Sequence, residues 1–373
     1  MYKLLGLDKR MNRRVLRCEL IDDRPSPETR DPYFDVSLNA WVLSRYADVL
    51  AAFHCTSLFP AGSGIGVTSQ QLQEDLVAQM RRETRDVLSP ARLRVWRRAL
   101  SSATRSQVKS LSPDQPADLI DDYARPLCLK FAAMVTKIDL RKAEELRRIS
   151  KPVSASAAEP FDVSLKAAAR AAGEKIRGCF PSGPEPLRDS GFVALAHTLP
   201  HLLANAWLAL LASPRQWTIL HQDPKSVEHA VEELLRCSAL PRILFRRASN
   251  DTAFRGVRIR KGERIVLEVL AANRDPQNFA HPHRLDVKRR RIRQLVFGAG
   301  QHACVGAGLI RMAAVTITRP LVERFSAAKL AEPVEWRGGS GFRFPETLRV
   351  SLAENARRRK PSERGMGRGL VKP

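Results

Sequence analysis

The stretch FGAGQHACVG, Phe297 to Gly306, puts one cysteine at the end of a glycine-rich loop, with a helical pattern starting near Ala307 and a basic run, Arg289 to Arg293, just upstream. A cysteine ahead of a helix meets unpaired backbone N–H groups and the positive end of the helix dipole, and both lower a thiol's pKa toward the thiolate. A thiolate in that place is a ligand or a nucleophile. Gly300 and Gly306 lack a Cβ, which lets backbone lie close against whatever covers the sulfur.

The residues alone leave three readings of Cys304. It is a buried free cysteine in a turn; or part of a zinc site with His281, His283 and His302, although that spacing is not a standard short-loop pattern; or an axial thiolate on haem iron.

Composition narrows the setting. The chain has 373 residues, 44% of them hydrophobic, enough for one large α-rich domain with a deep core or for two or three average ones. Aromatics make up 6%, which offers no stacking platform for nucleic acid bases. The net charge of +24 points to an acidic partner, a nucleic acid or an anionic surface, or else to an arginine-rich source, since Lys and Arg are spread along the whole chain. Six cysteines form no CxxC pair, against a disulfide framework and for a reducing compartment. MYKLLGLDKRMNRRV has no apolar run of signal-peptide length, so cytoplasmic localisation is expected. Phe192 to Ala212 carries no charged residue, yet His197, Pro200, His201 and Asn205 interrupt it; it reads as a buried central helix and not as a membrane span.

Periodicity predicts a small sheet and a helix at Arg45 to Phe53, then a loop at Pro60 to Gly66. Successive helices follow from Gln70 to about Ile149, with breaks at Ser150 to Pro160 and Pro181 to Gly191. Asp223-Pro224 starts a helix whose stripe is Val227, Val231, Leu234 and Leu235, and a strand-rich patch from Ile259 to Ala272 turns at Lys261-Gly262. Pro320 is expected to interrupt the helix after the cysteine. Residues 1 to 355 read as one domain, and 356 to 373 as a basic, disordered tail.

FGAGQHACVG resembles the haem-binding signature of the cytochrome P450 superfamily, met here by Phe297, Gly300, Cys304 and Gly306. Companions stand in the same order along the chain. Glu233 and Arg236 in EELLR resemble the family's ExxR pair, LDVKR with Arg289 resembles the segment that completes a buried triad, and AANRDP resembles a common bacterial stretch between them. The resemblance implies haem b held by Cys304, with propionates met by Arg246, His302 and Arg81 and the sulfur shielded by Phe297. It also implies a soluble bacterial-type monooxygenase with a predominantly α fold, small β-sheets and a long buried helix over the haem.

On the oxygen side the resemblance places Thr198 where a threonine usually holds water, and His197 where an acid is typical. Pro200 removes a backbone N–H and predicts a local opening near Ala196. His197 is therefore a candidate proton relay, or else it caps a freed carbonyl or simply packs. The implied partners are O2, a small apolar substrate (a secondary metabolite or terpenoid) and an acidic ferredoxin or flavodoxin with its reductase, docking near Arg289 to Arg293. Neither nucleic acid nor stable membrane insertion is expected. The alternatives are a peroxide-driven, desaturating or oxidatively coupling relative, and a basic zinc- or nucleic-acid-binding protein.

Overall fold

A computed structural model describes residues 30–60, 70–180, 187 and 190–354, with residues 70–77 and 80 described by their backbone. The tail from 356, most of the 60–66 loop and most of the 181–191 break lie outside the described residues.

Helices form where the three-to-four-residue spacing of apolar positions predicts them. They are α1 (Tyr46–His54), α2 (Gln70–Val87), α3 (Pro90–Gln107), α4 (Arg125–Thr136), α5 (Leu140–Ala158) and α6 (Val163–Gly178). After them come α7 (Ser190–Leu211), α8 (Pro214–Gln222), α9 (Val227–Cys237), the short α10 (Val269–Ala272) and α11 (Ala307–Arg324). The ends have local causes. The Asp139 carboxylate accepts from Lys142 N at 2.8 Å to start α5, and the Asp162 carboxylate accepts from Ser164 N and Leu165 N to start α6. Helix α4 stops where Lys137 turns left-handed at φ 57°.

Two expected breaks are helical. Ser150 to Ala158 continues α5 through Pro152, and α11 continues through Pro320 to Arg324. Proline costs a helix one hydrogen bond and some crowding, but packing outweighs this where the flanking residues are anchored. Ser150, Ser154 and Ala158 are buried along one side of α5, and Leu321 and Val322 are fully buried in the last turn of α11.

The strands are short: β1 (Tyr33–Asp35), β2 (Ala40–Leu43), β3 (Leu58–Pro60), β4 (Ala117–Asp118), β5 (Leu244–Ala248) and β6 (Thr252–Phe254). The second half holds β7 (Val257–Ile259), β8 (Arg264–Leu267), β9 (Ala327–Leu330), β10 (Trp336–Gly338), β11 (Arg343–Pro345) and β12 (Arg349–Ala353). Among the described residues they make a five-stranded sheet in the order β1-β2-β8-β5-β3, a three-stranded sheet β4-β12-β9, and the hairpins β6-β7 and β10-β11. In the largest sheet only β2 and β8 run parallel, and the β8-β5 pair from the second half of the chain lies between β2 and β3 from the first.

Helix α7 runs through the main core, with α4, α9 and α11 contributing to the same cluster. It is long and apolar enough to span a membrane, yet most of it is buried by protein. Aromatic polar tips are satisfied within this core: Trp207 Nε1 donates to Thr318 Oγ1 at 3.1 Å, Trp217 Nε1 to the Phe325 carbonyl at 2.9 Å, and the Tyr123 hydroxyl to the Ile317 carbonyl at 2.7 Å. The frame around α7 is thereby fixed on several sides.

Candidate active site

Cys304 reaches its position through a loop tied at both ends. Leu295 N donates to Asn273 Oδ1 at 2.8 Å, Val296 N to Gln294 Oε1 at 2.6 Å, and Cys304 N to the Phe297 carbonyl at 2.7 Å. Gly298 and Gly300 adopt φ of 65° and 67°, where a side chain is strained. The need for glycine at 300 comes from the protein itself: a Cβ there would lie 2.4 Å from the Phe53 carbonyl at the end of α1. At Gly306 a Cβ would meet only Cys304 Sγ, at 3.9 Å. Of the two glycines, protein packing alone demands the one at 300.

Burial raises the Cys304 thiol above its ordinary pKa, against the expectation that the helix start would lower it. The Gly306 N–H, Arg81, Arg311 and the Ala307 N–H oppose that rise without cancelling it. Although the residue is exposed by area, enough protein surrounds its sulfur for desolvation to dominate. The sulfur thus faces out among donors and cations that favour a thiolate once a ligand compensates it.

Of these cations Arg81 lies on a distant segment, and a further buried arginine, Arg246, lies on another. Arg81 on α2 donates through Nη2 to the Ala303 carbonyl at 2.5 Å, and its guanidinium pKa is lowered by desolvation and by Arg85. Arg246 on β5 is only 6% exposed and is pushed down to about 10 by burial. Its partners are the Phe245 carbonyl at 2.9 Å and the Phe53 ring at 5.4 Å. Among the described residues neither arginine pairs with a carboxylate. His302 lies half-buried in the 3₁₀ turn Gly300–His302, and the Phe297 ring is covered by the Arg311 guanidinium at 4.6 Å.

Behind the loop lies a closed network. Arg236 donates to both Glu233 oxygens at 2.7 and 2.8 Å, and also to the carbonyls of Asn273 at 2.8 Å and Pro282 at 2.7 Å. Arg289 Nε donates to Glu233 Oε1 at 3.1 Å, as does Asp286 N at 3.1 Å. Arg289 is therefore spent inside the molecule, and the exposed part of the basic run is Arg290, Arg291 and Arg293, with exposed Lys288 just ahead of it. Asn273 joins this network to the cysteine loop, and Asp275 accepts from Tyr46 N at 2.9 Å to fix α1. AANRDP marked that bracket in the sequence. Phe53, whose carbonyl and ring touch the two functional sides, carried no local signal.

Helix α7 opens into a π turn, Ala194–Thr198, where the proline at 200 predicts a disturbance. His197 is buried, with Nε2 2.8 Å from Ser150 Oγ on α5, so its ring meets the neighbouring helix and not a carbonyl freed in its own. Burial first, then Arg147, Arg125 and Lys151, pull its pKa down to about 4. Thr198 ends the turn, half-buried. Among the described residues no group of three or more His, Cys, Asp or Glu side chains is gathered to hold a metal, which leaves the zinc alternative without a site there.

Known proteins resemble this chain in sequence and in fold. A family model described as Cytochrome P450 matches residues 222–337. A cytochrome P450 of Priestia megaterium is 41% identical over 134 residues, 36% of this chain and 33% of the relative. The biotin biosynthesis cytochrome P450 of Bacillus subtilis is 38% identical over 162 residues, 43% of this chain and 41% of the relative. These matches therefore span less than half the length of those relatives. The crystal structure of ligand-free CYP164A2 from Mycobacterium smegmatis superposes with a TM-score of 0.75 at 22% identity, over 86% of this chain and 93% of that one, which shows the fold.

Proposed function

From the premise that this chain belongs to the cytochrome P450 family, we propose that it is a haem-thiolate monooxygenase that hydroxylates or otherwise oxidises a small hydrophobic molecule. The observation that carries this reading is the donor set: a cysteine sulfur exposed by area with Arg81 beside it, and a second desolvated guanidinium, Arg246, neither arginine pairing with a carboxylate among the described residues. Haem b fits that set, because it needs one soft anionic ligand for iron and cationic donors for two propionates. Bound there, it supplies reductive activation of O2 for oxygen transfer to substrate.

The chain's own residues divide the remaining work. Cys304 binds the iron, and the N–H groups of Gly306 and Ala307 moderate its charge. Arg246, His302 and Arg81 orient the propionates, while Phe297 and Gly300 shape the loop beneath. Glu233, Arg236 and Arg289 keep that loop and the AANRDP segment in register. His197 and Thr198 belong to the oxygen side, where the His197–Ser150 hydrogen bond holds a proton at or near Nε2. Lys288, Arg290, Arg291 and Arg293 offer an acidic ferredoxin or flavodoxin, served by its reductase, a docking face in the cytoplasm.

The test is the spectrum of the haem-supplied, dithionite-reduced protein with and without carbon monoxide. A strongly red-shifted Soret band supports the reading, and a protein that remains colourless refutes it. A second reading, peroxide-driven oxidation, draws on His197, whose ring is engaged by α5. Turnover with peroxide and none with reductase and ferredoxin would favour it.

A further inference from the structure

Glu232 and Glu233 are neighbours on α9 with different partners. Glu233 is consumed in the closed network with Arg236 and Arg289, whereas Glu232, about 100° away around the helix, meets the segments that flank the cysteine loop. Its carboxylate accepts from Arg311 Nε at 2.5 Å and Arg311 Nη2 at 3.3 Å on α11, and from Gln294 Nε2 at 3.1 Å ahead of the loop. One carboxylate thus ties the segments before and after Phe297–Gly306 to the same helix.

Both partners continue toward the sulfur. Gln294 is buried, and its Oε1 accepts from the N–H of Val296, the residue before Phe297, at 2.6 Å. The Arg311 guanidinium lies over the Phe297 ring at 4.6 Å, and the Phe297 carbonyl accepts from Cys304 N at 2.7 Å. Arg311 is also one of the two cations that favour the thiolate form of Cys304. With 37% of its side chain exposed, Arg311 has many rotamers open to it, and holding one of them costs entropy. The Glu232 carboxylate and the ring face together select that one.

We propose that Glu232 is a positioning residue for the thiolate: by fixing the Arg311 guanidinium on Phe297 and Gln294 on Val296, it keeps a positive charge beside Cys304 and sets how strongly the sulfur donates to iron. The effect on iron rests on the proposed function, while the hold on the loop does not. A cation beside the sulfur draws electron density from it, which favours ferrous over ferric iron.

Two roles for Glu232 predict opposite signs. If it positions Arg311, its removal releases the guanidinium to solvent and the ferric state gains. If it acts only as a charge, its removal takes a negative charge from the site and the ferrous state gains. Equilibrium reduction of the haem-loaded protein against a mediator dye reads the sign. Arg311→Met is expected to move the equilibrium about tenfold toward ferric, about 59 mV for one electron, and Glu232→Ala to move it the same way. Because both act through one guanidinium, the double variant is expected to match Arg311→Met and not the sum. Amide exchange at Val296 and Cys304 in the haem-free protein reads the hold on the loop, and Glu232→Ala is expected to speed it about tenfold.

A shift toward ferrous in Glu232→Ala, or no shift in Arg311→Met, would overturn the positioning role, and so would additive effects in the double variant. Should Glu232→Ala fail to fold, Glu232→Asp decides the point, since it keeps the charge and shortens the reach: a shift toward ferric supports positioning, and an unchanged equilibrium refutes it. Unchanged loop exchange in the Glu232 variants would overturn the tether. A protein that takes up no haem would sink the proposed function, and the exchange data would still decide whether Glu232 holds the loop.

Discussion

Two buried arginines, Arg236 and Arg246, are treated differently by the fold. Arg236 is fully buried, and although burial alone would lower its pKa, hydrogen bonds to Glu233 and Cys237 more than offset this and hold it above its usual value. Arg246 is almost as buried, but burial goes unanswered and pulls it down to about 10. The first guanidinium belongs to a network closed on itself; the second is held ready for an anion the protein does not supply. Buried charge of the first kind fixes a structure, and that of the second kind marks a binding face, because an unpaired buried ion persists only where a ligand compensates it.

The largest effect that tests this contrast is expected at the binding face. Cys304→Ala should abolish the red-shifted Soret band of the reduced CO complex while leaving the urea midpoint of the haem-free protein near the parent's. Retention of the band would place the thiolate elsewhere. In the closed network, Glu233→Gln leaves Arg236 buried without its counter-charge and should cost about 3–5 kcal/mol of folding stability, read by urea unfolding of the haem-free protein. A cost under about 1 kcal/mol would mean that the network is far wetter than its geometry indicates.

An intermediate effect is expected from acid. His197 titrates in the unfolded chain near 6.5 and in the folded protein at about 4, so between these values the unfolded chain binds more protons. Its stabilising contribution is fully present above about pH 6.5 and is lost as pH falls toward 4, by on the order of 3 kcal/mol. His197→Gln should flatten that part of the stability curve. His201, pulled down to about 3 by burial and by His197, should keep the remainder.

The smallest effect is the sharpest. Arg246→Met should raise the melting temperature of the haem-free protein, by the few degrees that about 1 kcal/mol provides, and should speed haem loss from the loaded protein. A lowered melting temperature would show that Arg246 is structural after all and would erase the distinction drawn between the two arginines.

How far the sequence was legible follows the same division. Phe297, Gly300 and Cys304 lie in one short stretch; Glu233, Arg236 and Arg289 do not, and they were legible only through the resemblance of EELLR and LDVKR to the family's motifs. Gly300 is a case in point: its left-handed φ is a local property, but its neighbour, the Phe53 carbonyl, is not. The π turn was foreseeable from Pro200, whereas the attachment of His197 to Ser150 was not, since residues 150–160 looked like a helix break. Pro152 and Pro320 misled for one reason: a proline's cost is intrinsic, and the packing that absorbs it is supplied by other segments.

By itself, then, the sequence determined the helical periodicity and the weak point in α7, which depend on neighbours in the chain, while the cysteine loop and the ion network behind it were legible through their resemblance to family motifs. Only the tertiary structure decided which carbonyls Arg289 meets beside Glu233, that Arg81 and Arg246 have no carboxylate partner among the described residues, that burial outweighs the helix start at Cys304, and that a glycine hairpin clasps the end of α5. Those outcomes depend on desolvation and on contacts between distant segments, which no local spacing encodes.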